Sequence, residues 1–246
     1  MTASPTTIAK IRYVKVFVPF VHEVTWSGGT RPGTTRLVVW LETADGTVGV
    51  GPAVKLRADA NGAWTVGTAK RTLRKLEPFD LEYMEQPLPL EDLAGHAHLR
   101  QLTSVPIALD ESAYTLQDVA AILDAHAADV VLIDPHEAGG LLQARKQAAA
   151  CEAAVVPVTL HSGGELGIGT AAYLHLAATV PNLTLAIDLQ YPNIGRDVLR
   201  ERLPFDRGAM RPPTGPGLGV EPDAALVEKH LTDVIPNPYL DPSRPG

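Results

Sequence analysis

Apolar positions in the first fifty residues fall in short runs separated by turn chemistry. Ile11–Phe17 is rich in β-branched and aromatic types with Arg12 and Lys15 interspersed, the pattern of a partly exposed strand. Leu37–Leu41 is wholly apolar and of strand length, and Ala44-Asp45-Gly46 predicts a hairpin turn into Thr47–Val50. Trp26 through Gly33 carries three glycines and a proline without periodicity, which predicts a loop. Residues 1–51 are therefore expected to form a small antiparallel sheet.

Beyond Gly51 the pattern changes to short apolar strands alternating with Ala/Leu-rich helical stretches. Strands are expected at Val54–Ala58, Leu81–Met84, Ile107–Leu109, Val130–Ile133, Val155–Thr159 and Leu185–Ile187, with helices between them such as Thr65–Leu76 and Leu116–Ala125. Thr115 is a good N-cap for the latter, with Asp118 three residues on. Strand–helix alternation predicts parallel βαβ units over residues 52–233, followed by a Pro-rich tail at 234–246.

The polar residues at the strand ends carry the chemistry. Asp59, Glu85, Asp110, Asp134, His161 and Asp188 each stand at or just past the C-terminal end of a predicted strand, 24 to 27 residues apart. That interval is one βα unit, and in a β/α barrel such ends converge on one face, where catalytic groups collect. Three carboxylates on adjacent strands offer hard oxygen ligands with a charge of about −3, the set that Mg²⁺ prefers. The alternative is that each acid caps the next helix, which explains one such residue better than three at a fixed interval. Zinc fits less well, since no cysteine joins the group and only one histidine does. A carboxylate beside an imidazole fixes its tautomer and raises its basicity, so Asp134 and His161 are candidates for a general-base pair. Ser162-Gly163-Gly164 follows the histidine with little side chain to obstruct a ligand.

Composition narrows the partners. The 246 residues are 45% hydrophobic, enough for a sizeable core. The net charge is −7 with no run of basic residues, which disfavours nucleic acid and a membrane surface. One cysteine, Cys151, excludes an internal disulfide and suits a reducing cytoplasm. No signal-peptide pattern and no apolar run near ~20 residues is present.

Several motifs carry a family resemblance. Arg57-Ala58-Asp59-Ala60-Asn61-Gly62-Ala63-Trp64, Tyr83-Met84-Glu85-Gln86-Pro87 and Ala108-Leu109-Asp110-Glu111-Ser112 resemble the three metal-ligand motifs of the mandelate racemase/muconate lactonizing enzyme branch of the enolase superfamily. Pro213 through Val220 is also typical of that branch. Ile133-Asp134-Pro135-His136 and Leu160-His161-Ser162 resemble the Asp–His dyad of acid-sugar dehydratases, most closely those of the glucarate dehydratase type. The resemblance implies a truncated TIM-type (β/α) barrel preceded by part of an antiparallel cap sheet. It further implies Mg²⁺ on Asp59, Glu85 and Asp110, a base at His161 supported by Asp134, and Asn61, Ser162 and Asp188 among the substrate-binding groups. The implied reaction abstracts the proton α to a carboxylate of a small molecule, where Mg²⁺ steadies the charge that develops. A Lys or His base acting beside Mg²⁺ is what the superfamily resemblance implies.

The chain also departs from the family. An eight-unit barrel alone takes ~250 residues, yet this chain passes from the hairpin directly into Gly51-Pro52-Ala53-Val54. The cap helices and two first barrel strands, one with a Lys-x-Lys motif, are expected to be missing. Lys55 and Arg57 share a strand face with Asp59 but precede it, toward the end of a barrel that serves stability. Open sheet edges predict association into a homo-oligomer. Trp26–Thr35 is expected as the specificity loop, and a remnant that binds metal or a partner without turnover is the rival reading.

Overall fold

The computed structural model describes residues 8–26, 29–43, 48–50, 55–194, 197–206 and 208–230. The chain divides into two compact units between Leu56 and Arg57. The expected hairpin turn at Ala44–Gly46, the lead-in at Gly51–Val54 and the tail at 234–246 lie outside the described residues.

In the first unit β1 (Ile8–Trp26), β2 (Gly29–Thr43) and β3 (Val48–Val50) form an antiparallel sheet in chain order. The expected strands Ile11–Phe17 and Leu37–Leu41 fall inside the longer β1 and β2, and β3 covers Val48–Val50 of the expected Thr47–Val50. The expected loop at Trp26–Gly33 does not hold: Trp26 pairs with Gly29, and Gly29–Gly33 is part of β2. Pro32 is accommodated because the register shifts between Pro19 and Val24 on β1, so no partner there requires its missing N–H.

The second unit is a curled sheet of five parallel strands in sequential order, half of a β/α barrel. Its strands are β4 (Arg57–Asp59), β5 (Tyr83–Glu85), β6 (Ile107–Leu109), β7 (Val130–Ile133) and β8 (Val158–Leu160). Every residue of β5 to β8 is buried, as expected of parallel strands covered on both faces. One face packs Met84, Ile107, Leu109, Val131, Ile133, Val158 and Leu160 with helix residues such as Leu73, Val119, Ile122 and Cys151. The other face gathers Tyr83, Ala108, Val130 and Leu132, joined by Leu185.

Helices α1 (Val66–Leu76), α2 (Leu93–Arg100), α3 (Leu116–Asp124), α4 (Leu141–Ala153) and α5 (Gly167–Ala177) alternate with these strands, and α6 (Ala224–Lys229) follows. Their starts obey local chemistry. Thr65 caps α1 and Asp92 caps α2, while Thr115 and Asp118 form a reciprocal capping box on α3. The first N–H of α5, on Gly167, is satisfied from a distance by Asp197 Oδ1 at 3.0 Å.

The sixth expected strand, Leu185–Ile187, does not form. The segment touches β8 through one bridge, Val158 with Leu183, and through Asp188 N–H to the Leu160 carbonyl at 3.2 Å. Between these points the Ala186 carbonyl accepts from the Thr159 hydroxyl and from Arg57 instead of from a strand N–H. Side-chain donors take the place of the ladder.

Candidate active site and metal centre

Strand alternation sets the inward residues. Arg57 and Asp59 share one face of β4, as do Tyr83 and Glu85 on β5, and the same parity continues past the strand ends to Asp110, Asp134 and His161. Parallel pairing with Asp59 opposite Glu85 brings the acids to one rim, at the C-terminal ends.

Glu85, Asp110 and His161 offer ligand atoms that all lie within 4.8 Å of one another. His161 Nδ1 is 3.2 Å from Asp110 Oδ2 and 3.9 Å from Glu85 Oε1, without hydrogen-bond alignment to either. Asp59 stands outside this tight group, with its Oδ1 accepting the Asn61 N–H at 2.7 Å. Burial, followed by repulsion from Asp59 and Asp110, raises the Glu85 carboxyl to about 9. Burial, then Glu111 and Asp59, raises Asp110 to about 8. Asp59 keeps solvent-accessible area at the mouth, yet enough protein surrounds it that lost hydration raises it to about 6, against the Asn61 N–H.

These features fit a divalent cation. Asp110 Oδ1 and Glu111 Oε2 are buried oxygens without a hydrogen-bond partner, in a neighbourhood where carboxylates repel one another. A hard cation relieves both conditions, and oxygen donors suit Mg²⁺ better than the imidazole does.

Supporting residues hold the rim. Gln86 Oε1 accepts the N–H groups of Asp110 and Ser112 at 3.1 and 3.3 Å, and its amide donates to Ser112 Oγ and the Leu88 carbonyl. It thereby ties the end of β5 to the end of β6, with a left-handed backbone at φ 32°. Asn61 is left-handed too, and its amide donates to Glu111 Oε1 at 3.1 Å.

Asp134 has different company from that expected of a His161 partner. Its Oδ1 accepts from the His136 backbone N–H at 2.6 Å and the Tyr173 hydroxyl at 2.5 Å, with His136 Nδ1 at 3.2 Å. The Tyr173 hydroxyl also lies 3.1 Å from His136 Nδ1 and 3.4 Å from Glu165 Oε1. His161 faces the carboxylates of β5 and β6 instead. Ser162 is likewise engaged: its hydroxyl donates to Glu165 Oε2 at 2.5 Å and accepts the Gln190 N–H at 3.1 Å. Asp188 lies beyond β8, its carboxyl raised by burial and opposed by His161 and Arg57.

Glu165, Tyr173 and His136 join these groups although the sequence pattern does not mark them as site residues. Glu165 carried a signal, standing directly after the glycine pair that drew attention to His161. Tyr173 carried none, because its hydroxyl reaches Asp134 from the middle of α5.

Comparison with known proteins completes the picture. The chain is 40% identical over 172 residues to a Streptomyces coelicolor protein named "Probable glucarate dehydratase", covering 70% of this chain and 39% of that protein. It is 38% identical over 183 residues to an N-succinylamino acid racemase of an Amycolatopsis species, covering 74% and 49%. A crystal structure of a mandelate racemase/muconate lactonizing family protein from Azoarcus sp. EbN1 matches with TM-score 0.67 and 35% identity, over 73% of this chain and 51% of that one. An enolase from Thermobispora bispora, solved with magnesium and formate, matches with TM-score 0.68 and 37% identity, over 72% and 42%. The chain thus spans less than half the length of these two curated relatives. Residues 47–226 match the profile described as enolase C-terminal domain-like, and by that match, its relatives and its half-barrel the chain belongs to the enolase C-terminal domain-like family.

Proposed function

We propose that this site removes the proton α to the carboxylate of a small hydroxy-acid, with Mg²⁺ held by Glu85, Asp110 and Asp59. The observation that carries the reading is one rim holding three carboxylates on adjacent strands, a buried unpartnered Asp110 oxygen, and an imidazole 3.2 Å from that side chain. When bound, Mg²⁺ supplies the positive field that makes a carboxylate's α-proton removable and steadies the charge that follows.

His161 is the base in this reading. Its ring stands at the rim with Nδ1 toward Glu85 and Asp110, and Asp188 lies in the segment after β8, its N–H on the carbonyl of Leu160, the residue before His161. Asn61 and Asp188, at the same rim, are the substrate-contacting candidates. Gln86 and the Asp134–Tyr173 network keep the rim in place.

The finer reading is dehydration of an acid sugar. Support comes from the Asp134 and His161 motifs and from similarity to proteins named glucarate and D-xylonate dehydratase, the latter 31% identical over 189 residues. Relatives named racemase and o-succinylbenzoate synthase match too. Their chemistry is less favoured because Lys70 and Lys75 lie on α1, Lys146 on α4 and Lys229 on α6, while the exposed Lys55 precedes β4, at the end of that strand away from Asp59. Among the described residues, no strand of the β/α unit carries a lysine.

The test is Mg²⁺-dependent deuterium uptake at the α-carbon across a library of aldaric and aldonic acids, with 2-keto acid formation read in parallel. Exchange should be lost in Asp110→Ala and fall at least ~10²-fold in His161→Asn. Wild-type protein that binds Mg²⁺ and exchanges no substrate would establish the rival reading of a metal-binding chain without turnover. His161→Asn exchanging at the wild-type rate would remove His161 as the base.

A further inference from the structure

Five strands spaced ~4.8 Å apart would put β4 and β8 about 19 Å apart in a flat sheet. No arginine side chain crosses such a distance. Yet Arg57 Nη2, on β4, donates at 2.7 Å to the Ala186 carbonyl, 129 positions along the chain and beyond β8. The curl of the sheet has brought its two margins within reach of one side chain.

Arg57 is held on its other sides as well. Its Nε donates to Glu82 Oε2 at 2.7 Å, and the guanidinium lies over the Tyr83 ring with 4.7 Å to the centroid. The side chains of Arg57 and Glu82 are only 21% and 8% exposed, so this is not a solvated surface pair of little consequence. A planar fork that donates in two directions while stacking on an aromatic ring is a task for arginine and not for lysine.

The far end of the contact leads to the site. The Ala186 carbonyl also accepts from the Thr159 hydroxyl at 2.9 Å, and two residues on, Asp188 N–H donates to the Leu160 carbonyl. His161 follows Leu160 directly. Residues 186–188 are therefore pinned to β8 from one side and to β4 from the other, which holds the Asp188 backbone against the residue before His161.

We propose that Arg57 is a positioning residue, which closes the curled sheet from inside and holds Asp188 in place beside His161. The latch stands on its own contacts. Its value to catalysis rests on the reading of His161 and Asp188 given above.

The test uses the full chain without metal or substrate, comparing wild type with Arg57→Met, Arg57→Lys and Glu82→Gln. Hydrogen exchange should quicken at least tenfold at the Asp188 amide in Arg57→Met, while amides of the β6–β7 ladder keep their rates. In histidine-labelled protein the His161 ring resonances should shift, and those of His96, buried on α2, should not. A general loss of stability would not single out His161. Arg57→Lys, which retains the charge and one donor, should lie between, as should Glu82→Gln. These two decide the matter if Arg57→Met does not fold. Asp188 exchange at the wild-type rate in all folded variants would overturn the latch. Faster exchange with an unmoved His161 resonance would overturn the positioning role. Neither readout needs turnover, so a failure of the proposed reaction is scored separately.

Discussion

Protonation of the carboxylate rim governs how metal binding should depend on pH. Burial and mutual repulsion raise Glu85 to about 9 and Asp110 to about 8, so in metal-free protein both carry protons at neutral pH. A cation must displace those protons. At pH 7 the cost is about 1.4 kcal/mol for Asp110 and about 2.7 kcal/mol for Glu85, an upper bound near 4 kcal/mol or roughly 10³-fold in affinity. The two groups repel each other and titrate as a pair, so release of one proton, about tenfold in affinity per pH unit, is the lower bound. Mg²⁺ affinity should therefore rise steadily from about pH 6 to 9 and flatten above. Calorimetry in buffers of different ionisation enthalpy should count between one and two protons released per ion at pH 7.

Stability of the metal-free chain should show the same protons with the opposite sign. Folding raises these carboxyls above their unfolded values near 4, so the folded state binds more protons. The contribution is fully present at low pH and is lost as pH rises from about 4 through 9. The Tm without metal should fall across that window, and the increment from Mg²⁺ should grow. A pH-independent affinity with no proton release would show that the carboxylates are already ionised and would refute the electrostatic account.

Three further outcomes follow from the packing. Tyr173→Phe leaves buried Asp134 without its 2.5 Å donor and should lower urea stability by about 1–3 kcal/mol; an unchanged midpoint would mean the hydroxyl is dispensable. Thr115→Ala removes the capping box of α3 and should cost about 1 kcal/mol, with Thr115→Ser nearly neutral by the same measurement. Gly167→Ala places a Cβ 2.3 Å from Asp197 Oδ2 and from Leu199 Cδ1 and should cost about 1–3 kcal/mol in thermal unfolding; a neutral result would show that the Asp197 cap moves aside freely.

Local information in the chain determined a good deal about this protein. Hydrophobic runs, Gly/Pro punctuation and the Thr115–Asp118 cap act over a few residues, and β6, β7 and the cap of α3 emerge where that pattern puts them. The interval between strand-end acids was equally legible, because period-two alternation and one βα unit per repeat place Asp59, Glu85 and Asp110 on one rim whatever the distant contacts are. Tertiary structure alone decided the rest. Whether Leu185–Ile187 would pair as a strand depended on Arg57 and Thr159 reaching the Ala186 carbonyl, contacts separated by 129 and 27 positions. That a tyrosine in the middle of α5 would donate to Asp134, and which carboxylates would face His161, depended on how the helices pack and how far the sheet curled. Side chains brought together by curvature leave no periodic trace in the chain, since no short-range rule links residues whose proximity is set by the closure of the sheet.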